Sequence, residues 1–464
     1  MRRTRQLLLP LYLFLGACMP VAPSDTAATR AASDAIEAPS GMPPMKSFSV
    51  PRPAQPVASN SDMARDFLDL AFTLESGRSL STFTRFDGPI SVRVTGAPPA
   101  SLGPDLNRLL HRLRTEAGIP IKLTNTASAN ITVQAVTRSE IRSALPTAAC
   151  FVVPNVTSLK EYKANRRTRK VSWSQLKKRD KLAIFLPNDA SPQEVRDCLH
   201  EELAQAIGPL NDLYRLPDSV FNDDNVHTVL TGYDMTILRA YYDPALRTGM
   251  TRNQVADRLP EIFARINPRG ASASPKRLSK TPRIWIDAVQ TALGPGANPA
   301  QRRASATEAL KVATAMGWND HRRAFSHYAM GRLLQATDPQ GAQDHFVLAQ
   351  RYFGQSPDTA LHRAYVASQL AAYAISAGRA NDALYLLTPH LDTAARHENA
   401  ALLATLMMLS AEALELAGRV TEGRKVRLDS LGWARYGFGS EWAVRAKLRE
   451  IGSLNPARRR SGAL

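Results

Sequence analysis

The 464 residues are too many for one ordinary domain, and 44% apolar with 22% charged side chains supply enough material for a sizeable core. Those proportions exclude a wholly disordered chain, a collagen and a polytopic membrane protein. Lys and Arg number 59 against 41 Asp and Glu, and the net charge of +18 calls for an anionic neighbour such as nucleic acid or a membrane surface.

Arg2, Arg3 and Arg5 precede a short apolar run, Leu7 to Leu15, that is broken by Pro10. The run is too short to span a bilayer and reads as a signal peptide over residues 1–17. Leu15-Gly16-Ala17-Cys18 resembles the lipobox of bacterial lipoproteins, in which the cysteine thiol becomes lipidated after cleavage. A plain secretory signal with an incidental cysteine is the alternative. Met19, where aspartate would signal inner-membrane retention, implies the outer membrane of a Gram-negative envelope, facing the periplasm. Export removes nucleic acid as a partner and leaves lipid head groups, lipopolysaccharide and cell wall as the available anions. Residues 18–60 are rich in Pro, Ala and Ser and are expected to form a disordered tether. With Cys18 lipidated, Cys150 and Cys198 remain, and in an oxidising compartment they most simply pair. The loop closed would contribute about 3–4 kcal/mol in the chain-entropy model. Free buried thiols are the alternative.

Residues 61–265 alternate helix and strand signals, an α+β pattern. The spacing predicts helices over 62–75 and 105–117 and strands over 90–94, 119–123, 131–136 and 182–186, with 150–153 a further strand candidate. Ten Lys or Arg fall between Lys160 and Lys181. This run would dock on an anionic envelope surface, or else form a solvated hairpin. Ser191-Pro192-Gln193-Glu194 predicts a capped helix start, and the helix ends at Gly208. Along it Val195, Leu199, Leu203 and Ile207 recur every four residues, a stripe that packs on a sheet, with Glu201 and Gln205 roughly opposite.

The stretch Glu201 to Asn211 resembles the HExxHxxGxxH signature of metzincin zinc peptidases, matrixins in particular, with polar residues replacing every histidine. The resemblance puts Glu201, Gln205 and Asn211 at the three ligand positions, Glu202 at the general-base position and Gly208 at the turn that brings Asn211 back. Ser219-Val220-Phe221 stands at the Met-turn, with Phe221 replacing methionine, and Leu230 to Tyr242 resembles the C-terminal matrixin helix. The same region also resembles the uncharacterised family known as domain of unknown function 2927. The fold implied is a zincin-like α+β domain. Zinc favours imidazole, so its inheritance is not expected, and no metal or cofactor is expected at these positions. Three readings of the cleft stand: a catalytically degenerate fold used for binding, a non-histidine site in which Glu201, Gln205, Asn211 and Asp212 hold a hard divalent cation or act as acid and base, and a solvated helix face. His227 alone does not rebuild a zinc site, and Asp223, Asp224 and Asn225 read as turn residues.

Residues 266–283 are expected to be a linker. From 284 to 464 the chain is Ala- and Leu-rich and helical, with a weak repeat marked by Ala336, Ala377 and Ala417 at spacings of 41 and 40. Gly331, Tyr373 and Ala413 fall at packing points. The unit is similar to tetratricopeptide repeats though longer, and an irregular bundle is the alternative. A stacked array presents a binding surface, which implies an envelope protein as partner. The expected function is a lipid-anchored envelope binder with a degenerate peptidase fold; the alternative is an atypical hydrolase acting through Glu202.

Overall fold

The computed structural model describes residues 41–48 and 54–461, with side chains to 458. The expected signal peptide and the expected lipidation site, Cys18, lie outside the described residues.

The α/β region carries one five-stranded sheet. Strands β1 (Ile90–Gly96), β2 (Ile121–Leu123), β3 (Ile131–Val136), β4 (Phe151–Pro154) and β5 (Leu182–Pro187) lie in the order β2-β1-β3-β5-β4. All neighbours run parallel except β4, which is antiparallel to β5 with Phe151 opposite Phe185. The central strands are continuous apolar runs because both faces are covered: β5 is buried at every position. Leu182, Ile184 and Leu186 join the main core, while Ala183 and Phe185 pack on the opposite face with Ile141 and Phe151. Parallel pairing needs crossovers, which α2 (Leu102–Thr115) supplies between β1 and β2. Two short helices were not legible in the sequence, α3 (Arg138–Ala144) and α4 (Leu159–Asn165). Helix α1 (Asn60–Ala71) packs against the later α8 (Leu259–Ile266), which follows α6 (Gly232–Tyr241) and α7 (Arg252–Ala256).

Helix α5 (Pro192–Ile207) lies on the sheet through its four-residue stripe, with Val195, Leu199, Leu203 and Ile207 all at 0–1% exposure. Its expected capping box is half made. Ser191 Oγ accepts the Glu194 N–H at 3.2 Å, but the Glu194 carboxylate is taken by Arg138. Cys150 and Cys198 form a disulfide with Cα atoms 5.9 Å apart, tying the start of β4 to α5. The 48-residue separation is worth about 4 kcal/mol in the chain-entropy model.

Ten helices complete the chain: α9 (Arg283–Leu293), α10 (Pro299–Ala315), α11 (His321–Leu334), α12 (Pro339–Gln355), α13 (Ala360–Ser376), α14 (Ala380–Arg396), α15 (Ala400–Leu416), α16 (Val420–Phe438), α17 (Glu441–Gly452) and α18 (Pro456–Ser461). From α9 to α17 each helix packs on the next, and α13 also touches α15. Helices α13 to α16 begin at residues 360, 380, 400 and 420, so the 40-residue period is a pair of helices. The turns at 377–379, 397–399 and 417–419 repeat one hydrogen-bonding pattern, in which the third residue's N–H reaches back five residues, to Ala374, Ala394 and Leu414. The middle residue is left-handed in each: Gly378 at φ 76°, Gly418 at φ 82° and Glu398 at φ 52°. Of the three packing points, Gly331 leaves room for Phe346 and Ala413 is fully buried, while Tyr373 is half-buried.

Two segments expected to be free are held. Residues 41–48, part of the expected tether, cross α16: Phe48 stacks on Trp433 at 4.5 Å and Lys46 N–H donates to the Gly432 carbonyl. One aromatic and one lysine among the prolines provide anchors that composition alone averages away. The expected linker is likewise docked, since Lys276 and Arg277 N–H donate to Asp62 and the Ser279 carbonyl accepts from buried Arg322.

The two regions meet at the turn between α14 and α15. Glu398 accepts from Arg108 at 2.7 Å and Arg196 at 3.1 Å, and the Arg196 guanidinium also donates to its carbonyl. Gln193 donates to Asn399 Oδ1 and accepts from Ala401 N–H. Tyr436 donates to Asp105 at 2.6 Å. A cavity lined by these Arg108, Arg196 and Glu398 side chains with His200 is about 10 Å³, the scale of a single water.

Candidate functional site

The C-terminal half of α5 presents Glu201 half-buried and Glu202 and Gln205 buried, Glu202 at 5% exposure. The helix end is closed by a residue of the basic run. Arg179, fully buried, donates to the carbonyls of Gln205, Ala206 and Gly208 at 2.6–2.8 Å, satisfying groups the helix leaves open. Gly208 has φ −144° and ψ −122°, neither helical nor left-handed. Its missing side chain matters for a different reason than the expected reversal: a Cβ there would lie 2.7 Å from Leu238, so glycine lets α6 approach.

The three ligand-position residues are not drawn together by contacts of their own. Gln205 Nε2 donates to Glu75 Oε1 at 3.3 Å, and Asn211 Nδ2 donates to the Asp69 carbonyl at 3.0 Å. Glu201 faces other carboxylates. Burial first, then Glu75 and Asp223, push its carboxyl up to about 8. Glu202 is pushed well up by burial and by Glu201 and Glu75. Asp212 moves the same way from burial, Glu75 and Glu201. Glu202 Oε2 and Asp212 Oδ1 are buried without a hydrogen-bond partner. The site is thus a set of carboxyls that burial and mutual repulsion push towards their protonated forms. Oxygen donors of this kind suit a hard cation. Yet among the described residues the set of three donors whose ligand atoms lie within 4.8 Å of one another is a different one, Asp218, His227 and His397.

Asp223 is more than a turn residue. It accepts from Tyr214 at 2.9 Å and Gln290 at 2.8 Å while facing Glu201 and Glu75. Glu75 and Asp223 lie far from the motif in sequence, and no spacing signal could have joined them to it. The segment at 219–221 is pinned to α6 by Asp234, which accepts from Ser219 Oγ, Val220 N–H and Thr231 N–H. Phe221 is fully buried beneath it. His200 accepts from Leu230 N–H, and burial together with Arg112 and Arg196 holds its imidazole neutral.

This geometry covers the segment that can be compared with known proteins. Residues 60–261 match the family described as "Protein of unknown function (DUF2927)". No curated protein and no solved structure matches the chain. The match begins at the first residue of α1 and ends within α8, so it takes in the whole sheet, the disulfide and the carboxyl cluster.

Proposed function

We propose that the chain is a lipid-anchored protein of the outer membrane, facing the periplasm, that binds envelope partners through a degenerate metzincin-like domain and a tetratricopeptide-like helical array. Glu202 carries this reading. A general base must be ionised and must reach a metal-activated water, whereas this carboxyl is buried, flanked by further carboxyls and pushed by both towards its protonated form. The amides at 205 and 211 are weak zinc ligands and are already engaged. The sheet order, the placement of α5 upon it and the pinned turn beneath Phe221 support the metzincin-like part. The regular 40-residue helix pairs support the repeat-like part. Exposed Lys163, Arg166, Arg167 and Arg169 support contact with an anionic envelope surface, whereas Arg179 is spent on capping α5.

Anchoring is tested at the lipobox. Cys18→Ser is expected to abolish incorporation of labelled palmitate and to move the protein out of the membrane fraction. Undiminished lipid labelling of that variant would remove the anchor from the account.

A further inference from the structure

We propose that Asp218, His227 and His397 form a divalent transition-metal site of the zinc class that clips the helical region onto the α/β region. Asp218 and His227 stand in the segment between α5 and α6, and His397 opens the turn between α14 and α15. One donor atom from each lies within 4.8 Å of the others. Two imidazoles and one carboxylate are a zinc donor set that leaves a fourth position open.

The geometry suits such an ion. With zinc–nitrogen bonds of about 2.0 Å, two imidazoles on one tetrahedral zinc have ring centroids about 5 Å apart. The rings of His227 and His397 are 5.3 Å apart. His227 Nε2 lies 3.0 Å from the Pro217 carbonyl, which can only accept. The same Nε2 lies 3.8 Å from Asp218 Oδ1. A third ring, His362, stands 6.0 Å from His227, is 2% exposed and has no partner for its Nδ1. Its Nε2 meets Asp224 at 2.8 Å.

The electrostatics ask for a cation. Among the described residues the ion-pair neighbours of Asp218 and Asp224 are these imidazoles, His227 and His362 respectively. A dication here would sit against the Asp218 carboxylate. Because the donors come from both regions, its binding energy would add to their docking.

Cobalt titration of the untagged full chain tests this. One Co²⁺ per chain is expected, with the strong visible absorption of a four-coordinate site, displaced by Zn²⁺. His397→Ala should weaken Co²⁺ binding by about 100-fold or more and Asp218→Asn by about 10-fold, with the far-ultraviolet dichroism unchanged. Absence of a saturable site in the unaltered chain would overturn the proposal, as would undiminished binding by His397→Ala. Should His397→Ala fail to fold, the isosteric Asp218→Asn carries the test from the other side of the seam, and an unchanged Co²⁺ affinity there overturns it equally.

Discussion

Glu398→Ala is expected to destabilise the chain by about 3–5 kcal/mol in urea unfolding, because it leaves the buried Arg196 guanidinium without its carboxylate. Arg196 is 2% exposed at the side chain and Glu398 5%, and the Arg108 side chain, at 26%, closes the pair on the other flank. The Arg196 guanidinium also lies close to two aromatic rings, 5.5 Å from Phe48 and 5.0 Å from Tyr436. The backbone adds a second argument. Glu398 occupies the left-handed position that glycine fills in the two sister turns. A non-glycine residue there costs about 1–2 kcal/mol. The ion pair offsets that strain, which is why a glutamate stands where the repeat calls for glycine. Glu398→Gly should therefore lose the ion pair but relieve the backbone, and fall about 1 kcal/mol short of the damage done by alanine. A loss below 1 kcal/mol for Glu398→Ala would mean that the seam is not held at this turn.

Stability should fall as pH rises from about 6.5 to about 8, by about 2 kcal/mol from Glu201 alone. The sign follows from the direction of the shift. Glu201 is raised from 4.5 to about 8 in the folded chain, chiefly by burial and then by Glu75 and Asp223. Over that interval the folded state binds more protons than the unfolded, so its contribution is full below the unfolded value and is lost as pH climbs through the folded one. Asp218, pushed up to about 7, acts in the same direction. Histidines oppose this only at lower pH. His321, His327 and His397, all lowered to about 4, add stability as pH rises towards 6.5 and nothing beyond it. The slope above pH 6.5 therefore belongs to carboxyls. Glu201→Gln should flatten it and stabilise the protein at pH 8, as read by urea unfolding at successive pH values. A slope unchanged in Glu201→Gln would remove the carboxyl cluster as its cause.

What the sequence made legible was local. The stripe from Val195 to Ile207, the apolar runs that became β3 and β5 and the disulfide pair all rest on period or count, and each appears where expected. The 40-residue helix pair was legible because its turns recur, although the substitution of glutamate for glycine at 398 hid one of them. The strand at 119–123 shortened to Ile121–Leu123 because only that part pairs with β1. The site was legible as a motif but not as an environment. Glu201, Glu202 and Gln205 are set by the helix, whereas Glu75, Asp223 and Arg179 reach them through tertiary folding, 22 to 130 residues away in sequence. Arg179 shows the reason most plainly: inside a run of ten basic residues nothing marks one as a helix cap. Likewise His227 looked solitary because its partner His397 stands in the other region.

The central claim of the proposal is that the carboxyl cluster on α5 does no peptidase chemistry. Without an activating metal a water keeps a pKa of about 15.7, far beyond the reach of a carboxylate, and burial with Glu201 and Glu75 pushes Glu202 towards its protonated form. The direct measurement is cleavage of a fluorogenic peptide library by the purified chain at pH 7 with added Zn²⁺, with and without chelator, beside Glu202→Gln. The account predicts no cleavage above buffer in any arm. Chelator-sensitive cleavage that disappears in Glu202→Gln would contradict it and make the chain an enzyme.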